Sequence, residues 1–187
     1  SPGNTYVGLT KPGLGEKTEP AIYRPSGKIN YFRVVPADDI QGKVAARWAV
    51  KLGLKKAYIL DDRELYGKGV ADVFEVEAKK AGIAVLGHEG IDPKAAEYKA
   101  LLTKIKQLGP DLLYFGGTTQ TNAGQLAKDL KNVGLDVKLM VPDGCYEEAF
   151  LSAAGPENIN DVAHVTFGGI PPDRLTGKAA EFAKKFR

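Results

Sequence analysis

Tyr66, Gly117, Thr118, Thr119 and Asp143 are the residues of this 187-residue chain whose types and places could do chemistry together. A phenol, two adjacent hydroxyls, bare glycine backbone and a carboxylate suit gripping a small polar molecule. Each follows a short apolar run. Tyr66 comes after Ala57–Leu60 through the acidic turn Asp61-Asp62-Arg63-Glu64. Gly116-Gly117-Thr118-Thr119 comes after Leu112–Phe115, and Pro142-Asp143 comes after Val137–Val141. Asp143 could pair with a cation such as an ammonium group. Tyr66 could donate its hydroxyl or lie against an apolar part. The glycines let a ligand approach the backbone. Plainer readings stay open for each. Gly116-Gly117 is then a tight turn and Thr121 a helix N-cap. Asp143 is then a turn residue in Pro-Asp-Gly, and Tyr66 a packed residue at the start of a helix.

Bond-breaking chemistry has little support. A nucleophile with its base, paired carboxylates or a metal cluster would be needed. His88 falls late in one predicted strand and His164 inside another, and neither has a partner at ligand spacing. No Gly-x-Ser-x-Gly elbow occurs. Lys11–Thr18 resembles a phosphate loop only loosely, lacks the Gly-Lys-Thr order and does not follow a buried strand. Asp61-Asp62 with Glu64 could suggest a metal, but a solvated acidic loop capping a helix accounts for it better. The single Cys145 excludes an internal disulfide and a cysteine zinc site. No catalytic residue, cofactor or metal is expected.

The totals are ordinary for a soluble globular protein: 43% apolar, 26% charged, net charge +3. The lysines sit beside acids, as in Glu75–Lys80, which makes a solvated surface and not a nucleic-acid patch. No apolar run approaches the roughly 20 residues of a membrane helix. The chain starts at Ser1 without a leader, and is expected to be a processed or excised piece of a longer protein.

Stepping from strand to helix orders these residues. Residues 1–30 are rich in Pro and Gly and are read as an irregular lead-in, with a short strand near Tyr6–Leu9. Tyr31–Val35 reads as a strand ended by Pro36. Asp38 or Asp39 then caps a helix with Ile40, Val44, Trp48 and Leu52 inward, stopped by Gly53. Strand Ala57–Leu60 leads to helix Gly67–Ala81, with Val70, Val73, Phe74 and Ala78 inward. Strand Ile83–Leu86 leads to helix Tyr98–Leu108, with Leu101, Leu102, Ile105 and Leu108 inward. Strand Leu112–Phe115 leads to helix Gln125–Lys131. Strand Val137–Val141 leads to helix Glu147–Ala153. Strand Val162–Phe167 leads to a closing helix, Lys178–Phe186. Strands alternating with helices predict an α/β fold: a three-layer, open parallel sheet with helices on both faces, as one domain over residues 1–187. In such a sheet all carboxyl ends share one edge, so the three turns converge there.

The ordered set of motifs is similar to a known family. Tyr31-Phe32-Arg33, Pro36, Asp38 to Gln41-Gly42, Tyr58 to Asp62, Tyr66-Gly67, Tyr98 to Ile105, Asp111 to Gly117 and Pro142-Asp143-Gly144 together resemble the periplasmic leucine/isoleucine/valine-type binding proteins. These are substrate-binding components of branched-chain amino acid ABC transporters with the type I periplasmic binding fold. The resemblance implies a flavodoxin-like second lobe alone. Ser1-Pro2 would lie just past the first crossover, and Arg187 just before the chain crosses back. It implies that Tyr66, Thr118 and Asp143 occupy second-lobe ligand positions, with an acid at Asp143 holding a ligand ammonium. Family members place an aromatic at Thr118. The threonine leaves room for another solute, so amino acids, amides and aromatic acids are all expected ligands. The implied partners are an ABC permease and the missing first lobe, and the implied location is the periplasm. Two other functions remain: a ligand-sensing regulator or receptor domain of the same fold, and a flavodoxin-like enzyme.

Overall fold

A computed structural model of the chain describes residues 3–186. The expectations for Ser1-Pro2 and Arg187 lie outside the described residues. Five strands make one parallel sheet: β1 (Lys56–Asp61), β2 (Ala84–Gly90), β3 (Leu112–Gly116), β4 (Lys138–Pro142) and β5 (Ala163–Thr166). Their spatial order is β2-β1-β3-β4-β5. The helices are α1 (Asp38–Lys51), α2 (Leu65–Lys80), α3 (Lys99–Gln107), α4 (Ala123–Asn132), α5 (Glu148–Ala154), α6 (Pro156–Ile159) and α7 (Gly177–Phe186).

The central strands are apolar through their middles, at Ala57–Leu60, Leu112–Phe115 and Leu139–Val141, because both faces are covered there. Along β3, Leu113 and Phe115 point into one core with Leu102, Ile105, Leu126, Leu130 and Phe150 of α3, α4 and α5. Leu112 and Tyr114 point into the other, with Ala45, Ala49 and Phe74 of α1 and α2. Phe74 and Tyr114 stack at 3.9 Å between ring centroids. The result is the three-layer parallel sheet expected from the strand–helix alternation. The chain leaves β1 toward one edge, then returns to place β3 on the other side of β1. Ligand crevices form at this reversal, outside the carboxyl ends of the strands.

Several local expectations are corrected. Tyr6–Leu9 is not a strand; Val7–Leu9 is a 3₁₀ turn in which the Val7 carbonyl accepts from the amides of Thr10 and Lys11. Tyr31–Val35 alternates like a strand but lies outside the sheet, leaving Phe32 72% and Val34 86% exposed. The N-cap of α1 is Ala37; Asp38 and Asp39 fall in the first turn. The buried face of α1 is Gln41, Gly42, Ala45, Ala46 and Ala49, while Ile40 is exposed and Val44 and Trp48 flank the core. Small residues win because α1 packs closely on α2. A Cβ at Gly42 would stand 2.6 Å from Val73 Cγ1 and 2.8 Å from the Phe74 amide nitrogen. Leu108 is exposed just past the end of α3. The short α6 has no counterpart in the sequence reading, since four residues after Gly155 are too few to show a period.

Candidate functional site

The carboxyl edge of the sheet gathers Tyr66, Thr118 and Asp143. After β1 the chain turns through 62–64, where Asp62 Oδ1 accepts from the Glu64 amide at 2.9 Å. This turn starts α2 with Tyr66 in its first turn. Backbone approach sets how low α2 sits: a Cβ at Gly116 would lie 2.2 Å from the Gly67 carbonyl oxygen. Any side chain at Gly116 would lift the helix and Tyr66 with it.

The Tyr66 hydroxyl donates to Asp143 Oδ1 at 2.6 Å. Gln41, 2% exposed on α1, donates from Nε2 to the same Asp143 oxygen at 3.0 Å, to the Tyr66 oxygen at 3.3 Å and to the Thr166 carbonyl at 3.4 Å. One amide thus bridges the turns after β1 and β4 to the end of β5. The Gly144 amide adds a 3.4 Å contact to the Tyr66 oxygen. A Cβ at Gly144 would meet Thr118 Cγ2 at 2.9 Å, the Gly117 carbonyl at 3.2 Å and Tyr66 Cε1 at 3.2 Å, so the three turns touch at this residue. Burial, then the hydrogen bond to Asp143 and its charge, push the Tyr66 phenol far above its ordinary pKa, and it stays a donor. Asp143 is exposed, and the hydrogen bonds from Gln41 and Tyr66 both fall on Oδ1.

The turn after β3 serves two ends. Thr118 is the N-cap of the 3₁₀ turn Thr119–Thr121, and Thr118 and Thr121 cap each other reciprocally. The cap residue is therefore Thr118, with Thr121 as its partner. Gly117 is buried under the Phe115 ring, and its carbonyl faces Gly144. Thr119 is turned toward Cys145, whose buried thiol is pushed up to about 12, chiefly by burial. The turn brings Gly117 and Thr118 to the Tyr66–Asp143 pair, and the Thr119 hydroxyl is buried without a hydrogen-bond partner.

Asp38, which was read only as a cap, belongs to this edge. It is 2% exposed, one turn before Gln41 on the same face of α1. Its Oδ1 is buried without a hydrogen-bond partner. It lines a cavity of about 410 Å³ with Thr5, Tyr6, Leu65 and Tyr66. Burial raises its carboxyl to about 6; the Thr5 hydroxyl opposes this and the Asp143 charge adds to it. The helical spacing of Asp38 and Gln41 was the available signal.

Asp61 and Asp62 are not solvated, being 4% and 1% exposed. Asp61 meets His88, and Asp62 holds the Glu64 amide and the Thr121 hydroxyl. Among the described residues no group of His, Cys, Asp or Glu is arranged to hold a metal. His164 accepts from the Trp48 indole at 3.4 Å.

Comparison with known proteins agrees with this architecture. A family model described as periplasmic binding protein matches residues 9–187. An amino acid binding protein of Pseudomonas aeruginosa is 32% identical over 189 residues, covering 100% of this chain and 46% of that protein. Leu/Ile/Val-binding protein homolog 1 of Brucella suis is 31% identical, covering 88% of this chain and 43% of its own. The chain thus spans about half the length of these relatives. Among solved structures, the branched-chain amino acid transporter substrate-binding protein LivJ of Streptococcus pneumoniae, in complex with isoleucine, superposes with a TM-score of 0.68. It is 25% identical, covering 81% of this chain and 42% of that one. A solute-binding protein of an R. palustris ABC transporter, in complex with benzoate, has a TM-score of 0.64 at 23% identity, covers 83% of this chain and 42% of that one, and shares the fold. The match across residues 9–187 and the identity to relatives over the chain's length lead to one conclusion: this chain belongs to the periplasmic binding protein family, with the type I fold.

Proposed function

We propose that the chain is one lobe of a two-lobe, non-enzymatic solute-binding protein of the periplasm. Its carboxyl edge supplies half of a site for an amino acid, an amide or a related small acid. The observation that carries this reading is the Tyr66–Asp143–Gln41 cluster, which joins the turns after β1 and β4 to α1 and the end of β5. Asp143 Oδ2 and the orphaned Asp38 Oδ1 offer acceptors to an ammonium or amide N–H group. Tyr66, Gly117, Thr118 and Thr119 give the wall, and the reciprocal capping of Thr118 and Thr121 holds the turn. A carboxylate on the solute is held by the other lobe, beyond this chain. Closure of the two lobes buries the solute, and the closed form engages an ABC permease. The names of the relatives, amino acid and Leu/Ile/Val binding, support the solute class, and the benzoate complex of a neighbour keeps aromatic acids in it.

Calorimetric titration of this chain and of the longer protein that carries it, against amino acids, amides and benzoate, tests the reading. The lobe is expected to bind its solute far more weakly than the longer protein, because half of the contacts are missing. Equal affinity contradicts the two-lobe arrangement.

A further inference from the structure

His88 reaches from β2 into the gap between the end of β1 and α2. Its Nδ1 lies 2.6 Å from Glu75 Oε2 and 3.9 Å from Asp72 Oδ1, both on α2. Its Nε2 lies 3.1 Å from Asp61 Oδ2, at the end of β1. The His88 and Asp61 side chains are 13% and 6% exposed. A carboxylate has no proton to give, so only the imidazolium can donate at both ends; neutral imidazole would set a lone pair against one acid.

The surrounding charges call for that cation. On α2, Lys68 pairs with Asp72 and Lys79 with Glu75. On the turn, the Arg63 amide donates to Asp61 Oδ1 at 2.7 Å, and its guanidinium is spent on the Gly90 carbonyl at 2.8 Å. On β2, the neighbouring Glu89 accepts from the Tyr58 hydroxyl at 2.5 Å. The two lysines answer two of the three acids, and His88 answers the third. Burial works against its charge, but the hydrogen bonds and charges of Asp61 and Glu75 outweigh it, and the imidazole is raised above its ordinary value. Asp61 ends lowered, with burial opposing and His88 and the Arg63 amide prevailing. Glu75 is lowered by Lys79 first, then by His88, against burial.

Asp61 opens the turn that starts α2, and Tyr66 stands in the first turn of that helix. We propose that protonated His88 is the positioning residue for Tyr66, tying β1, β2 and α2 together behind the site and thereby linking solute binding to pH. The link to solute rests on Tyr66 being a solute contact; the tie itself does not. The folded value is raised, so the tie is whole below the unfolded imidazole pKa and is lost as pH rises through the folded value.

The test is a pH titration of this chain by NMR from pH 5.5 to 9, reading the His88 ring and the backbone amides of Tyr66 and Gly67. The expected result is a His88 midpoint above 6.5, shared by both amides. His88→Gln removes that transition from the amides. His88→Arg also removes it but keeps the amides at their low-pH positions, as a permanent cation should. Relative to His88→Arg, a comparison that cancels the titration of Asp38, the chain binds L-leucine more weakly at pH 9 than at pH 6. A midpoint at or below 6.5, or an unchanged amide transition in His88→Arg, overturns the proposal. If L-leucine binds at neither pH, the link of the tie to leucine binding fails while the amides still decide the tie.

Discussion

The Tyr66 hydroxyl stands 2.6 Å from Asp143 Oδ1, across a sequence separation of 77 residues. The phenol is held protonated, so it spends its one proton on Oδ1 of the acid, and the proposed site uses the other oxygen. Gln41 reinforces the same choice by donating to the same oxygen.

Tyr66→Phe removes this donor while keeping the ring. The expected loss of stability is about 1 kcal/mol, the usual net value of one hydrogen bond. Urea unfolding measures it, and no change would mean that the hydroxyl is idle.

Asp143→Asn keeps the shape of the acid and removes its charge. Ammonium-bearing solutes should weaken by about 2 kcal/mol, in the range for truncating one side of a hydrogen-bonded charge pair, while benzoate should change little. Calorimetry on the longer protein, with amino acids beside plain acids, separates the two. A uniform loss across the panel contradicts the assigned role.

Asp38 is a buried acid whose Oδ1 has no hydrogen-bond partner, and it should burden the fold. Its folded pKa of about 6 stands above the unfolded value of about 3.9, so the folded state binds the proton more tightly. The cost is fully present above pH 6 and lifts as pH falls toward 4. Asp38→Asn should therefore stabilise the chain at pH 7.5 by about 1–3 kcal/mol, and give no gain below pH 4. Thermal unfolding at the two pH values checks this. The same variant should weaken ammonium-bearing solutes, which is the reason such a residue would be kept.

Gly116→Ala places a methyl 2.2 Å from the Gly67 carbonyl oxygen. The backbone on both sides must shift, at a cost of about 1–3 kcal/mol. Chemical denaturation reads that cost, and altered Tyr66 and Gly144 amide signals would report the displaced helix.

Much of the fold was legible because the apolar runs that become β1, β3 and β4 are bounded by turn residues, and α2, α3 and α4 carry a helical period. The convergence of Tyr66, Thr118 and Asp143 followed from the parallel topology alone. What escaped was set by tertiary contacts. The inward face of α1 was assigned to its large residues, whereas close packing on α2 selected Gly42 and the alanines. Tyr31–Val35 has strand composition, but pairing and burial, not composition, make a strand. Asp38 and His88 looked ordinary because their partners are far away in sequence: Asp38 borders Tyr66, and His88 meets Asp61 and Glu75. Asp61-Asp62 has the composition of a solvated pair; here the Arg63 and Glu64 amides and His88 hold the two carboxylates in the fold.

The most direct test of the account is an NMR titration of this chain with L-isoleucine, L-glutamine and benzoate, observing the assigned backbone amides. At least one solute is predicted to shift Tyr66, Thr118, Asp143 and Gly144 together along a single saturating curve, leaving α3 and α7 unmoved. Shifts confined to other surfaces, or curves that differ among these four residues, would contradict a shared half-site at the carboxyl edge of the sheet.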